Sequence, residues 1–268
     1  MAAQNSDVKG KLVCSSSSSN DDEEHDHQGS EDYIYGLSLE RLNLGPRKKL
    51  VVLCLGGLLC HRVHRYDESA IPRFRSPDEF YGSILVYKRP YCEEFMKFCL
   101  ERFDVGIWSS AREWYLNNAL DCIMKGLKSK LLFAWDQREC TNSGWNTLEN
   151  KRKPLFLKEL KDLWQDRSIC IEGRYSSSNT LLVDNNPYKA LLNPPHTAIF
   201  SDEYKVDNVE DMALGPRGEL RVYLDELAGA EDVPSFVKEH PFGQSAITPA
   251  HSDWHFYSKV VRRFHKST

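Results

Sequence analysis

The chain has 268 residues and a formal charge of −4, with 41% hydrophobic and 28% charged side chains. That apolar share suffices for one sizeable core, whereas the longest apolar run, around 50–60, is broken by Gly56 and Gly57 and falls short of the about 18 residues a membrane span needs. Residues 1–40 hold nine acids against Lys9 and Lys11, a net of −7, so the remaining 228 residues carry about +3 and lack the Lys/Arg-dense stripe of a duplex-binding protein.

Residues 1–45 read as a disordered tail, because the serine run Ser15 to Ser19 and the acids Asp21 to Glu24 offer too little apolar surface to offset ordering entropy. His25 and His27 in that segment are solvated histidines, not a metal tract. From Lys48 onward strands and helices alternate. Leu50 to Leu55 is a continuous apolar run, the mark of a strand buried on both faces. Ile84–Tyr87 is a second strand, and Pro90 opens a helix with Cys92, Phe95, Met96 and Cys99 at i, i+3, i+4 and i+7. Phe103–Trp108 is the next strand, followed by a helix over Ala111–Met124 and a strand at Leu131–Ala134. After a polar loop come a helix over Pro154–Trp164, a strand at Thr180–Val183, a turn at Asn185–Pro187 and a last strand at Ala198–Phe200. Trp135, Trp145, Trp164 and Trp254 are core or rim aromatics. Such alternation implies right-handed crossovers and a parallel sheet covered on both faces. The expected organisation is a tail over 1–45, one α/β domain over 46–230, and a C-terminal extension over 231–268 that packs on the domain or trails it.

In this fold class ligands bind outside the carboxyl ends of the strands. That rule selects Cys54 to Gly57, Ser109, and Asp184-Asn185, with Lys158 in the first turns of the helix before the fifth strand. A hydroxyl, a lysine and a carboxylate converging on a glycine-bearing loop suit a phosphate. Each residue also has a structural reading: Ser109 as a helix cap, Lys158 as a solvated lysine, Asp184 as a turn residue before Pro187. Arg73 and Arg75 belong to the segment between the first two strands, as a solvated loop or as charges steering an acidic peptide.

The motifs Lys49 to Leu53, Tyr87-Lys88-Arg89-Pro90, Trp108-Ser109-Ser110, Phe156 to Leu160 and Leu182 to Pro187, in that order, resemble the FCP-homology domain of the haloacid-dehalogenase (HAD) superfamily. That domain is shared by small RNA-polymerase C-terminal-domain phosphatases, Dullard phosphatases, NLI-interacting factors and the Tim-type mitochondrial presequence receptor. The similarity covers about 48–228, and the stretch Trp135 to Cys140 with the tail Pro241–Tyr257 is similar to a plant-type branch. The resemblance implies a HAD-like three-layer α/β sandwich with a central parallel sheet and a small insertion after the first strand. It also implies a Mg²⁺-dependent phosphoserine/threonine phosphatase whose first strand ends in Asp-x-Asp, a nucleophile and an acid/base. Carried over, Ser109 and Lys158 would hold the phosphoryl oxygens, and Asp184 with Asn185 would complete the metal shell.

The first motif departs from the pattern. It reads Cys54-Leu55-Gly56-Gly57, so Cys54 and Gly56 stand at the two aspartate positions. Gly56 has no side chain to move a proton, a function worth about 10²–10⁴ in rate. A cysteine sulfur is also a poor ligand for a hard cation such as Mg²⁺, whose binding is in doubt on this donor set. With the metal lost, Lys158 is free to pair with Asp184. A thiolate mechanism would need an arginine six residues beyond Cys54; that position is Cys60, and Arg62 comes two residues later.

The leading expectation is a catalytically impaired phosphatase-fold protein that binds a phosphorylated or acidic peptide, with no direct nucleic-acid contact. Returning aspartates to positions 54 and 56 would then restore metal-dependent hydrolysis. Two readings stay beside it: an active Mg²⁺-dependent phosphatase with a rearranged site, and a Tim-type import component at the mitochondrial inner membrane. The N-terminal sequence has no secretory-signal pattern and is too acidic for an ordinary transit peptide. Eight scattered cysteines without a C-x-x-C pair read as reduced thiols rather than structural zinc ligands, so a soluble nuclear or cytoplasmic setting is expected.

Overall fold

β1 (Leu50–Leu53) leads into an excursion of three strands, β2 (Cys60–His64), β3 (Glu79–Tyr81) and β4 (Ile84–Lys88). The chain then runs through α1 (Cys92–Arg102), β5 (Asp104–Trp108), α2 (Glu113–Ile123), β6 (Phe133–Trp135), β7 (Thr141–Asn146), β8 (Pro154–Leu157) and α3 (Leu160–Gln165). It ends with β9 (Thr180–Asp184), β10 (Ala198–Phe200), α4 (Glu219–Gly229), α5 (Val233–Glu239) and α6 (Trp254–His265). The structure, a computed structural model, describes residues 48–208 and 210–265, without the side chain of residue 265. The expected tail, with its serine run and two histidines, lies outside the described residues.

Five parallel strands form the central sheet in the order β10-β9-β1-β5-β6. Burial of β1 on both faces follows from its place at the middle of that order. Val51 and Leu53 join Val105, Ile107, Leu181 and Val183 in the larger core under α1, α2 and α4, while Leu50 and Val52 join Trp108, Leu182 and α3's Leu160 and Leu163 on the other face. These are the three layers of an α/β sandwich. Close packing between β5 and β6 depends on Gly106: its partner across the ladder is Phe133, and a Cβ at Gly106 would stand 2.2 Å from that ring.

Two expected elements differ. Ile84–Tyr87 is a strand, but β4 lies in a separate antiparallel sheet, β2-β4-β3, and not in the parallel one. An apolar run of four residues, Ile84 to Tyr87, reports burial without reporting direction. The segment beginning at Pro154 is not a helix: Pro154–Leu157 is β8, paired antiparallel with β7, which arises from the stretch read as a polar loop. Leu155 and Leu157 are buried in alternation, and the helix starts only at Leu160, so two periods abut within eleven residues.

α6 lays Tyr257 and Val260 against Leu155, Leu157 and Tyr188. The C-terminal segment therefore backs both β8, which leads directly into Lys158, and the short 3₁₀ turn Pro187–Ala190, which carries Lys189. Among the described residues no helix is long and apolar enough to cross a membrane.

Candidate functional site

Cys54 continues β1, Ser109 follows β5 and Asp184 ends β9; backbone bonds from Cys54 N to Val183 O and from Ser109 N to Trp135 O hold them at the sheet's carboxyl edge. A cleft of about 420 Å³ opens there, lined by Cys54, Gly56, Ser109, Lys158 and Asn185 among others. Five of the six residues at the family's motif positions thus share one cleft wall. The sixth, Asp184, lies fully buried beneath it.

Lys158 reaches the site from the loop between β8 and α3, not from a helix. Its backbone is pinned on both sides: Lys158 N donates to Lys189 O at 2.8 Å, while Asn193 Nδ2 donates to Lys158 O at 2.9 Å. Lys158 Nζ donates to Asp184 Oδ2 at 2.5 Å and to Trp108 O at 2.5 Å. A second lysine, which sequence reading overlooked, completes the arrangement: Lys189 Nζ lies 3.1 Å from Asp184 Oδ1. Its signal was a lysine embedded in the apolar run Tyr188 to Leu192, where only a partner inside the protein makes burial tolerable.

Asp184 Oδ1 also accepts backbone N–H groups from Asn185 at 2.8 Å and Asn186 at 3.1 Å. Three of the four donors therefore meet on Oδ1, and Lys158 alone holds Oδ2. Burial alone would raise its pKa, but the two lysines outweigh burial and hold it down at about 2. Lys189, conversely, is pushed down by burial and up by Asp184, Cys54 and Tyr188 together, for a net rise. The triad of two ammoniums and one carboxylate carries a net +1.

Cys54 cannot neutralise it. Desolvation, reinforced by Asp184 and only partly countered by the lysines, lifts its thiol to about 12, and Sγ donates weakly toward Asn185 Oδ1 at 3.6 Å. The thiol is protonated at neutral pH and not poised as a nucleophile. Ser109 Oγ accepts from Ala111 N at 3.1 Å, a local serine turn, since the residue capping α2 is Arg112. The loop after β1 turns at Gly57, whose φ of +79° is a glycine conformation, and a Cβ there would sit 2.2 Å from Asn185 Nδ2.

The charges on the cleft wall are Arg62, Lys153, Lys158 and Lys189 against Glu203. Arg75, one of the two expected steering arginines, is committed elsewhere: it donates to Tyr204 Oη, Asp78 Oδ2 and Lys88 O. Arg73 is exposed and does not line the cleft.

The donor set does not suit Mg²⁺. Both oxygens of Asp184 already have cationic partners, Oδ2 in Lys158 and Oδ1 in Lys189 with two backbone N–H groups; Cys54 offers a protonated sulfur, and among the described residues no three His, Cys, Asp or Glu side chains gather as a metal cage.

The model of the NLI interacting factor-like phosphatase family matches residues 49–234, and the chain belongs to that family. A probable C-terminal domain small phosphatase of Dictyostelium discoideum is 27% identical over 194 residues, 71% of this chain and 54% of that protein. An uncharacterized FCP1 homology domain-containing protein of Schizosaccharomyces pombe is 25% identical over 212 residues, 73% of this chain and 78% of that protein. The chain thus spans about half the length of the first relative. Among solved structures, the fission yeast RNA polymerase II CTD phosphatase Fcp1 bound to beryllium fluoride is similar with a TM-score of 0.40 and 15% identity, over 84% of this chain and 63% of that one.

Proposed function

We propose that this phosphatase-fold protein binds a phosphorylated peptide at the cleft beside Lys158 and Lys189 and does not hydrolyse it. The observation that carries the reading is the saturated, buried Asp184 with two lysines, which leaves one positive charge uncompensated. Burying an unpaired charge is costly unless a partner arrives, and an anion in the cleft supplies one. Ser109, Asn185 and Asn186 line the same cleft as hydrogen-bonding groups for phosphoryl oxygens.

Absence of turnover follows from the same residues. A protonated thiol replaces the nucleophile, nothing at Gly56 delivers a proton to a leaving group, and both oxygens of Asp184 are ion-paired to lysines where a metal would sit. Losses of this kind within one machine do not add simply, but each is severe. A nuclear or cytoplasmic setting belongs to this reading; seven described cysteines, all buried and none in a disulfide, support a reducing compartment. The test compares a phosphoserine peptide with its unphosphorylated twin. Selective binding of the phosphorylated form, with no release of p-nitrophenol from p-nitrophenyl phosphate in Mg²⁺, is the expected result. Robust metal-dependent hydrolysis that Asp184→Ala abolishes would contradict it.

A further inference from the structure

Gly56 stands where the resemblance expects a second aspartate, and the Arg62 guanidinium lies close to where its side chain would begin. A Cβ built on Gly56 would lie 3.1 Å from Arg62 Nη2. Arg62, on β2, is half-buried and turned back toward the strand-end loop that precedes it. Its guanidinium lies near the Tyr81 hydroxyl, and among the described residues it makes no ion pair.

Resting on the reading above, we infer that Arg62 takes the place of the family's metal and second carboxylate as the anion clamp of a metal-free site for a phosphate monoester dianion. The site has then changed sign. The nucleophile and acid/base carboxylates that the resemblance expects are replaced by a neutral thiol and a glycine, and a guanidinium stands beside the position the glycine leaves without a side chain. With the net +1 of the buried triad, Arg62 brings two positive charges to the cleft, matching a doubly charged phosphoryl group. A guanidinium is suited to this because it presents planar paired donors to phosphate oxygens and keeps its charge at any physiological pH. Glu203 on the outer wall is the opposing charge, and it leaves the balance positive.

The experiment titrates the full chain with a phosphoserine peptide by calorimetry, once in EDTA and once in Mg²⁺, for the wild type, Arg62→Gln, Arg62→Lys and Gly56→Asp. Circular dichroism melts of each variant confirm the fold. Equal wild-type affinity in both buffers is expected, with a loss of about tenfold or more in Arg62→Gln, consistent with removal of one charge-assisted bidentate contact. Arg62→Lys should retain part of the affinity. Gly56→Asp should lose it with Arg62 intact, because the new carboxylate meets the guanidinium. Wild-type binding that survives Arg62→Gln unchanged, or that requires Mg²⁺, overturns the role of Arg62 and leaves phosphopeptide binding standing. A wild type that binds the peptide in neither buffer overturns the binding reading itself, and the role of Arg62 with it.

Discussion

Lys189 Nζ lies 3.1 Å from Asp184 Oδ1, on the carboxylate oxygen opposite the one held by Lys158 at 2.5 Å, and all three side chains are buried. The carboxylate is the hub, so the three positions are not equivalent. Asp184→Asn leaves two ammoniums facing one another without a counter-charge, whereas Lys189→Met leaves a neutral Lys158–Asp184 pair. Removing the hub of a buried ion pair costs about 3–5 kcal/mol. Urea denaturation should therefore show Asp184→Asn near the top of that range and Lys189→Met clearly milder. Equal destabilisation by both variants would show that the triad does not act as a single charge network.

Cys54 should resist alkylation in the folded protein. Its thiol is raised to about 12 by burial and the neighbouring carboxylate, so almost no thiolate exists at pH 7–8. Mass spectrometry of the peptide containing Cys54 after iodoacetamide treatment should show modification only under denaturing conditions. Rapid native labelling would mean an activated thiol.

The same shift carries a stability signature. Cys54 and Cys60 have folded pKa values of about 12 and about 11 against an ordinary thiol's 9.0, so above pH 9 the unfolded chain gives up protons that the folded chain retains. Fewer protons on the unfolded state make stability fall as pH rises through that window, until the folded thiols ionise in turn. The effect fades out within about one pH unit below 9. Denaturation midpoints at pH 8 and pH 10.5 should differ for the wild type, and the difference should shrink in Cys54→Ser/Cys60→Ala.

Sequence alone suggests that Cys54→Asp/Gly56→Asp restores hydrolysis; the site geometry predicts otherwise. At position 56 the new carboxylate meets Arg62, and Asp184 still has its oxygens engaged by Lys158, Lys189 and two backbone N–H groups. The double variant should hydrolyse p-nitrophenyl phosphate in Mg²⁺ no faster than the wild type. Turnover in the double variant that disappears on adding Asp184→Asn would show that Asp184 is open to a metal.

The central strands were legible because β1, β5 and β9 are continuous apolar or near-apolar runs, and their ends carry Cys54, Ser109 and Asp184. The motif order also selected Lys158, which lines the cleft, while placing it on the wrong element. Leu155 and Leu157 alternate, but with Leu160 and Leu163 they imitate a helical spacing. Arg62 and Lys189 were not legible in their roles. Arg62 becomes a site residue only because the loop at Gly56 and Gly57 turns β2 back on the strand end, and Lys189 only because the turn at Pro187–Ala190 folds under the cleft. Neither return is encoded by a local period.

Packing of the sheet gives an independent check on the fold. Gly106→Ala would place a methyl group 2.2 Å from the Phe133 ring, and overpacking of this kind costs about 1–3 kcal/mol. Combining it with Phe133→Leu should recover part of the loss, a coupling that thermal denaturation can read.

The most direct test of the central claim is the fate of a bound phosphopeptide. A phosphoserine peptide held with a stoichiometric amount of the full chain in Mg²⁺ for several hours, then weighed by mass spectrometry, should be recovered bound and still phosphorylated. Recovery of the dephosphorylated peptide, in a reaction that fails with Asp184→Asn, would contradict the account and make this cleft an active phosphatase site.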